Sequence, residues 1–174
     1  ASHEEQQAEN YRKMILAMSK DLRVILIKLA DRTHNVRTLG FMPEDKQKVI
    51  ARETLDIYAP LANRLGIGWL KQNLEDYSFR YLYPKEYKFI EESVAKGAGE
   101  RQKIIDSTTQ IVEEKLSSSG IPVKVMGRSK HYYSVFDKMR RQAISFEEIH
   151  DLRGIRLITD TLQNCYSLLG TVHS

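Results

Sequence analysis

The spacing of apolar residues changes near residue 120, and this change sets the fold class of the chain. Before that point, apolar side chains recur at steps of three and four residues, which is the spacing of amphipathic helices. After it, IPVKVMG at 121–127 and RGIRLIT at 153–159 carry the patterns of strands. We therefore predict an α+β fold, in which an all-helical part is followed by the beginning of an α/β region.

Proline, glycine and capping residues divide the chain into helices. Asp21 can cap one helix, and Pro43 opens another that Gly66 ends. A kink or break is expected at Pro60, because proline lacks the N–H group that continues a helix. Further helices are expected at 4–20, 69–83, 84–96, 100–120, 130–142 and 164–173, with an interruption at 97–99.

Composition limits the class of protein and its partners. The chain has 27 basic and 23 acidic residues, and its net charge of +4 is only a mild bias toward anionic partners. The single cysteine, Cys165, fits a reducing cytosol, and no apolar run reaches the roughly 20 residues of a membrane span. Two short strands do not form a stable sheet alone, so we expect the chain to be a fragment of a longer protein.

A polar stripe lies in the segment ILIKLADRTHNVRTL. Asp31, Asn35 and Thr38 are spaced at i, i+4 and i+7, so they share one side of a helix. Val24 and Ile27 fall on the same line, which is therefore expected to begin in the core and become polar. Two interpretations are open: a helix that emerges into solvent, or a pocket in which the carboxylate binds a metal and the amide and hydroxyl bind a ligand.

A basic track lies in the segment GRSKHYYSVFDKMRR. Lys130, Ser134 and Lys138 fall on one helical face, and Arg128 lies just before them, so ammonium, hydroxyl and guanidinium groups could meet a polyphosphate. Asp151, ahead of the second strand, is suited to hold a divalent ion for those phosphates. A solvated basic face and an ordinary strand-end aspartate are the alternatives. The sequence has no glycine-rich phosphate loop, so phosphate binding would use side chains.

Five sequence segments, taken in order, resemble one known family over practically the whole chain. They are KLADRTHNVRTL, ARETLDIYAPLANRLG, LEDYSFRYLYP, GRSKHYYSVFDKM and HDLRGIRLI. Together they resemble the bifunctional RelA/SpoT family of (p)ppGpp synthetase/hydrolases. The resemblance implies the C-terminal part of an HD-type hydrolase domain at 1–45, connecting helices at 46–84, and the N-terminal part of a nucleotidyltransferase-like synthetase domain at 85–174.

On the hydrolase side, the resemblance implies roles for the polar stripe. This activity removes pyrophosphate from (p)ppGpp with the help of Mn2+. Asp31 matches the family's last metal-binding aspartate and would bind Mn2+. Asn35 and Thr38 match residues that contact the guanosine nucleotide, so the stripe would be polar because it lines a nucleotide pocket.

On the synthetase side, the resemblance assigns the basic track to an ATP site. This activity moves pyrophosphate from ATP to the 3′-hydroxyl of GDP or GTP. Asp151 matches the catalytic Mg2+ ligand, and an irregularity is expected between it and Arg156, since a regular strand would place them on opposite faces. The matched ATP-binding residues are the arginines that sandwich the adenine, Arg128 and Arg156, and the phosphate-binding residues Lys130, Ser134 and Lys138.

The resemblance also implies what this chain lacks. The family's first metal-binding histidine, its HD pair, its guanosine-binding loop and its second acidic metal ligand are not in these 174 residues. The chain is therefore expected to be inactive alone. Thr33 stands where the family usually has an apolar residue and Gly154 where it usually has alanine, but neither has an assigned role.

The parent protein is expected to be a cytoplasmic enzyme of (p)ppGpp metabolism in the stringent response. Its substrates would be ATP, GDP or GTP, and (p)ppGpp, without a membrane partner. Contacts with the ribosome or tRNA would need a C-terminal region absent from this chain. Two other hypotheses stay open: a basic helical RNA-binding module without catalysis, and a helical scaffold without chemistry.

Overall fold

The chain divides into two compact units, Ala1–Pro84 and Lys85–Ser174. The expected first helix lies outside the residues that the computed structural model describes. Helices dominate the described part, together with one two-stranded antiparallel sheet, so the expected α+β class is confirmed. None of these helices has the length and apolar character needed to cross a membrane. The described residues are 21–96, 98–117 and 120–173.

The first unit is built from helices joined by tight turns. Its described elements are α1 Leu22–Arg37, a 3₁₀ turn Leu39–Phe41, α2 Glu44–Glu53, a π-helical turn Thr54–Tyr58, α3 Ala59–Arg64 and α4 Gly68–Leu82. Asp21 caps α1, as expected, because its carboxylate accepts a hydrogen bond from the backbone N–H of Arg23 at 2.9 Å. Gly66 follows α3 with a φ of 75°, a left-handed conformation that glycine adopts without strain.

Pro60 lies directly after a local widening of the helix. The π-helical turn separates α2 from α3, and Pro60 sits in the first turn of α3. Since Pro60 has no N–H to donate, a regular α-helical ladder cannot continue through this point. The break expected at Pro60 therefore takes the form of this turn.

The core of the first unit is centred on one line of α1. Ile25, Leu29 and Val36 are buried on that line, and Leu39 continues it just after the helix. Burying a side chain of this size fully contributes about 1.5–3 kcal/mol to stability, so this line holds α1 in place. The core is completed by Ala51, Tyr58, Ala59, Ala62, Leu70 and Leu74.

The second unit combines helices with a two-stranded ribbon. Its described elements are α5 Pro84–Lys96, α6 Ala98–Ser117, β1 Lys124–Ser129, α7 Tyr132–Gln142, β2 Arg153–Ile158 and α8 Leu162–His173. The boundary between α5 and α6 falls in the glycine-rich segment, where an interruption is expected, and Gly97 itself lies outside the described residues. The buried apolar side chains of this unit include Ile90, Leu116, Val135, Phe146, Ile149 and Leu168.

The first strand begins later than its sequence pattern predicts. The expected strand at 121–127 is wrong at both ends, because β1 starts at Lys124 and continues to Ser129. Pro122 cannot donate a ladder hydrogen bond, and its carbonyl accepts one from the hydroxyl of Thr159 at 2.7 Å instead. The antiparallel pairing therefore ends at Lys124, which is opposite Ile158.

One face of the ribbon packs on α6 and the other is exposed. A Cβ atom added at Gly127 would lie 2.5 Å from Cγ2 of Ile105 in α6. Glycine is therefore required at this position by the close approach of the helix. The exposed face carries Lys124, Met126 and Arg128 from β1 and Gly154, Arg156 and Ile158 from β2.

Candidate functional site

The polar stripe of the first unit lies on the last turns of α1. The side-chain amide of Asn35 donates a hydrogen bond to the carboxylate of Asp31 at 3.4 Å. The hydroxyl of Thr38, the residue that follows α1, donates to the carbonyls of His34 at 3.1 Å and Asn35 at 3.2 Å. The helix thus brings Asp31, Asn35 and Thr38 onto one side, as their spacing predicts.

This stripe does not begin in the core, contrary to expectation. Ile27 is 68% exposed and Val24 is half-buried. The physical reason is that α1 buries the neighbouring line, which starts at Ile25, so the line of Asp31 faces outward along most of the helix. The carboxylate of Asp31 is therefore accessible to a ligand.

The polar residue that does lie on the buried line of α1 is Arg32. Its guanidinium forms an ion pair with Glu53 at 2.8 Å and stacks over the ring of Tyr58, 4.2 Å from the centroid. The Arg32 side chain is only 14% exposed, so this contact ties α1 to α2 and to the π-helical turn. The sequence carried a signal for it, because steps of four and three residues from Ile25 pass through Leu29 and reach Arg32.

Asp31 can supply one carboxylate to a divalent cation. Among the described residues, no group of three or more His, Cys, Asp and Glu side chains is placed to hold a metal ion. The accessible carboxylate, with the amide of Asn35 beside it, fits one position of a coordination shell and one edge of a polar ligand.

The second unit gathers two lysines around one carboxylate. Nζ of Lys130 donates to Oδ2 of Asp151 at 2.7 Å, and Nζ of Lys138 donates to Oδ1 at 2.7 Å. Lys130 precedes α7, Lys138 lies within it, and Asp151 precedes β2. A backbone hydrogen bond from the N–H of Lys130 to the carbonyl of Leu152, at 2.9 Å, holds the two loop segments together.

These lysines keep the carboxylate of Asp151 ionised. Hydrogen bonds from Lys130 first, and then from Lys138, lower the pKa of Asp151 to about 2, while burial acts in the opposite direction. The Asp151 side chain remains 55% exposed, so the charged carboxylate is reachable from solvent. An ionised, accessible carboxylate between two ammonium groups suits a site for both phosphates and a divalent cation.

The two predicted adenine-binding arginines share the exposed face of the ribbon. Arg128 is opposite Gly154, and Arg156 lies two residues farther along β2, so the arginines are diagonal neighbours. Diagonal neighbours are about 7–8 Å apart, which is about twice the 3.5–4 Å contact distance of a stacked ring. Gly154 has open space where a side chain would stand, which leaves room beside Arg128.

The irregularity expected between Asp151 and Arg156 is present. The backbone bends at Leu152, and β2 begins only at Arg153. The alternating side-chain directions of the strand therefore do not determine the direction of the Asp151 side chain. This bend lets the carboxylate turn toward Lys130 and Lys138.

Not every predicted residue lines the same pocket. Ser134 sits half-buried in the first turn of α7, one turn before Lys138. The pocket beside the carboxylate holds about 170 Å3, and three predicted residues are not among its lining residues: Ser134, Lys138 and Arg156. Its lining residues are Arg128, Lys130, Asp151, Leu152, Arg153 and Gly154.

Comparisons with known proteins match a part of each unit. A model of the HD domain matches residues 1–68, and a model described as a region found in RelA / SpoT proteins matches residues 127–174. A GTP pyrophosphokinase of Myxococcus xanthus is 54% identical over 172 residues, which are 99% of this chain and 23% of the relative. The chain belongs to the RelA/SpoT family.

Two further members of the RelA/SpoT family show the same coverage. The bifunctional (p)ppGpp synthase/hydrolase SpoT of Escherichia coli K12 is 50% identical over 170 residues, 98% of this chain and 24% of the relative. A guanosine-3′,5′-bis(diphosphate) 3′-pyrophosphohydrolase of Aquifex aeolicus is 46% identical over 173 residues, 99% of this chain and 25% of the relative. The chain therefore spans about a quarter of the length of these curated relatives.

Proposed function

We propose that the full-length protein containing this chain both synthesises and hydrolyses (p)ppGpp in the stringent response. The main support for this proposal is that Lys130 and Lys138 both contact Asp151, within the region that matches RelA/SpoT proteins; ammonium and carboxylate groups so placed are suited to bind phosphates and a divalent cation. The relatives are named as enzymes of guanosine nucleotides, which supports this proposal over an RNA-binding module or a scaffold.

The second unit contributes the ATP site of synthesis. Arg128 and Arg156 stack on the two faces of the adenine, since both lie on the exposed face of the ribbon at a suitable separation. Lys130, Lys138 and the hydroxyl of Ser134 bind the phosphates and offset their charge.

Synthesis then transfers the terminal pyrophosphate of ATP. The 3′-hydroxyl of GDP or GTP gives up its proton to solvent as its oxygen forms a bond to the β-phosphorus, the bond from that phosphorus to the oxygen bridging the α-phosphorus breaks, and AMP leaves with that oxygen. Asp151 would hold Mg2+, which supplies positive charge to the donor phosphates. The protein's part is chiefly to position the groups and neutralise charge, so the lysines and the carboxylate must lie together, as they do here.

The first unit contributes half of the hydrolase site. Asp31 would be one ligand of Mn2+, which supplies an activated water for attack on the 3′-pyrophosphate of (p)ppGpp. Asn35 and Thr38 hydrogen-bond the guanosine nucleotide from the same side of α1, where the amide already contacts the carboxylate. The remaining ligands come from other parts of the protein.

These roles define the domains and partners that we propose. Residues 1–45 belong to the hydrolase domain, 46–84 to connecting helices, and 85–174 to the synthetase domain. The partners are ATP, GDP or GTP, and (p)ppGpp in the cytoplasm, and contacts with the ribosome or tRNA depend on a C-terminal region outside this chain.

Substitution of Asp151 tests the proposal. Asp151→Asn keeps the shape of the side chain and removes the charge that holds the cation, so synthesis in the full-length protein should fall at least about 100-fold. Steady-state synthesis is measured across a Mg2+ titration, with Asp160→Asn, an exposed aspartate beyond β2, as the matched control. Near-parental synthesis by Asp151→Asn would mean that Asp151 is a structural residue and that the ATP site lies elsewhere.

A further inference from the structure

Both carboxylate oxygens of Asp151 are already engaged. Oδ2 accepts a hydrogen bond from Lys130 and Oδ1 accepts one from Lys138, each at 2.7 Å. Charge-assisted bonds of this length are about twice as strong as neutral ones. A divalent cation binds a carboxylate through the same oxygens, so the cation and the lysines compete for one group.

The charges around Asp151 decide which ligand can enter first. Lys130 and Lys138 contact the carboxylate, and Arg128 lines the adjacent pocket together with Lys130. Two ammonium groups in contact with a single carboxylate leave a net positive charge there, which repels a bare divalent cation and attracts a polyphosphate. The pocket therefore favours the nucleotide's phosphates over a free metal ion.

We propose that Lys130 and Lys138 form an exchangeable lock on Asp151, which the phosphates of ATP open. The inference rests on the proposed ATP site. In the nucleotide-free protein the lysines hold the carboxylate, and a divalent cation does not bind there. When a polyphosphate arrives, the ammonium groups transfer their hydrogen bonds to phosphate oxygens, and Asp151 becomes available to the cation that accompanies the nucleotide.

The lock couples two binding events without any change in covalent bonds. The phosphates release the carboxylate for the cation, and the cation neutralises a carboxylate that would otherwise face the phosphates. Each ligand must then strengthen the binding of the other by the same factor. A permanent, purely structural ion pair would give no such coupling, because the lysines would stay on Asp151 whether or not the nucleotide was bound.

The first experiment measures Mn2+ binding without nucleotide. The full-length protein carrying Asp31→Ala, which removes the cation ligand proposed for the other site, is compared with the same protein carrying Lys130→Met and Lys138→Met. Electron paramagnetic resonance should show one additional bound Mn2+ in the lysine variant. The affinity of this site for Mn2+ should be at least about 10-fold higher than in the protein that keeps both lysines. Asp151→Asn added to that variant should remove the additional Mn2+.

Two further variants control for poor folding of the double variant and for a nonspecific effect of removing a lysine. Lys138→Met alone vacates Oδ1 and keeps the pair with Lys130, so it should give a smaller gain of Mn2+ affinity even if the double variant folds poorly. Lys124→Met removes an exposed lysine of β1 that is opposite Ile158 in the ribbon, and it should leave Mn2+ binding unchanged.

The second experiment measures nucleotide binding without metal. The probe is α,β-methylene-ATP, whose α–β bridge the transfer reaction cannot break, titrated calorimetrically in EDTA and in Mg2+. In EDTA, Asp151→Asn should bind the probe about 5–10-fold more tightly than the parent, because no unpaired carboxylate is left facing the phosphates. In Mg2+ the order should reverse, since the variant cannot hold the cation.

The outcomes separate the lock from the ATP site. If Arg128→Ala leaves binding of the probe unchanged, ATP is not bound here, and the proposed function and the lock both fail. If Arg128→Ala weakens binding of the probe but neither lysine variant binds Mn2+ more tightly, the ATP site is supported and the lock is wrong. Gained Mn2+ affinity in the lysine variants, together with the reversal at Asp151, establishes the lock.

Discussion

The two candidate sites of this chain are built in different ways. The Asp31 stripe lies on one helix and the residue that follows it, and within the part of the chain that the structure describes the carboxylate accepts a hydrogen bond from the amide of Asn35 at 3.4 Å. The Asp151 cluster joins a loop, a helix and the start of a strand, and its carboxylate is held by Lys130 and Lys138 at 2.7 Å. The carboxylate of the first site needs further ligands from elsewhere to bind a cation. The carboxylate of the second site already accepts two hydrogen bonds from lysines, which must move before a cation can bind.

The two sites should therefore respond to different substitutions. A carboxylate that depends on ligands from elsewhere gains its chemistry only when those ligands are assembled, as for a mixed metal shell. A carboxylate held by local ion pairs depends on the charges of its own neighbours. Substitutions near Asp151 should therefore change nucleotide binding strongly, while substitutions beside Asp31 should have smaller effects unless they remove the carboxylate itself.

Loss of Lys138 should give the largest effect on binding. In Lys138→Ala the ATP phosphates lose a charge-assisted hydrogen bond worth about 1.5–3 kcal/mol, so KM for ATP should rise about 10- to 100-fold with a smaller change in kcat. The measurement is steady-state synthesis by the full-length protein, with Lys124→Ala as the exposed control. A fall in kcat at unchanged KM would show that Lys138 does not bind ATP in the ground state.

Two glycines of the ribbon should respond oppositely to alanine. Gly127→Ala places a Cβ against Ile105 of α6 and should lower the free energy of unfolding by about 1–3 kcal/mol, as overpacking does. Gly154→Ala meets nothing within 4 Å and restores the residue that the family usually has, so it should be neutral or slightly stabilising. Urea denaturation of the 174-residue chain compares them, and equal stability of the two variants would contradict the packing of α6 on β1.

Loss of Asn35 should have a smaller effect than loss of Lys138. Asn35→Ala removes neutral hydrogen bonds worth about 0.5–1.5 kcal/mol, so KM for (p)ppGpp in hydrolysis should rise about 3- to 10-fold. Comparison with Lys138→Ala shows how much less KM changes when neutral hydrogen bonds are lost than when a charge-assisted one is lost. Hydrolysis kinetics at saturating Mn2+ measure this change, and an effect as large as that of Lys138→Ala would mean that Asn35 also positions Asp31, the proposed metal ligand.

The pKa of Asp151 provides the most local test. The pKa of Asp151 is lowered from its ordinary value of 3.8 to about 2. The ion pairs therefore stabilise the folded state fully at pH values above 3.8, and this contribution is lost as the pH falls toward about 2. Carboxyl NMR of the 174-residue chain compares the parent with the double variant Lys130→Met and Lys138→Met. At the pH where Asp151 is half protonated in the double variant, it should still be ionised in the parent. Identical titration curves would show that the lysines do not hold the carboxylate in solution.

The sequence allowed the first site to be placed more directly than the second. Helical spacing alone puts Asp31, Asn35 and Thr38 on one side, since a single helix determines their relation. The same reasoning chose the wrong core line, because Ile27 is apolar yet exposed and the burial of a helix depends on its tertiary neighbours. Counting from Ile25 would have given the buried line.

The second site could not be assembled from periodicity. Asp151 is 21 residues from Lys130 and 13 from Lys138, so only the fold brings them together. An irregularity between Asp151 and Arg156 was expected because a regular strand would place them on opposite faces. The start of β1 was misplaced, because the strand is defined by its pairing with β2 and not by apolar alternation around Pro122. Non-local pairing is the part of this fold that a local pattern does not contain.

If the two carboxylates serve two independent activities, substitution of either one should leave the other activity intact. Synthesis and hydrolysis of (p)ppGpp are assayed in the full-length protein, in Asp31→Ala and in Asp151→Asn, at saturating Mg2+ and Mn2+. Asp31→Ala should lose hydrolysis and retain synthesis, while Asp151→Asn should lose synthesis at least about 100-fold and retain hydrolysis. Loss of both activities in either folded variant, or of neither, would contradict the account.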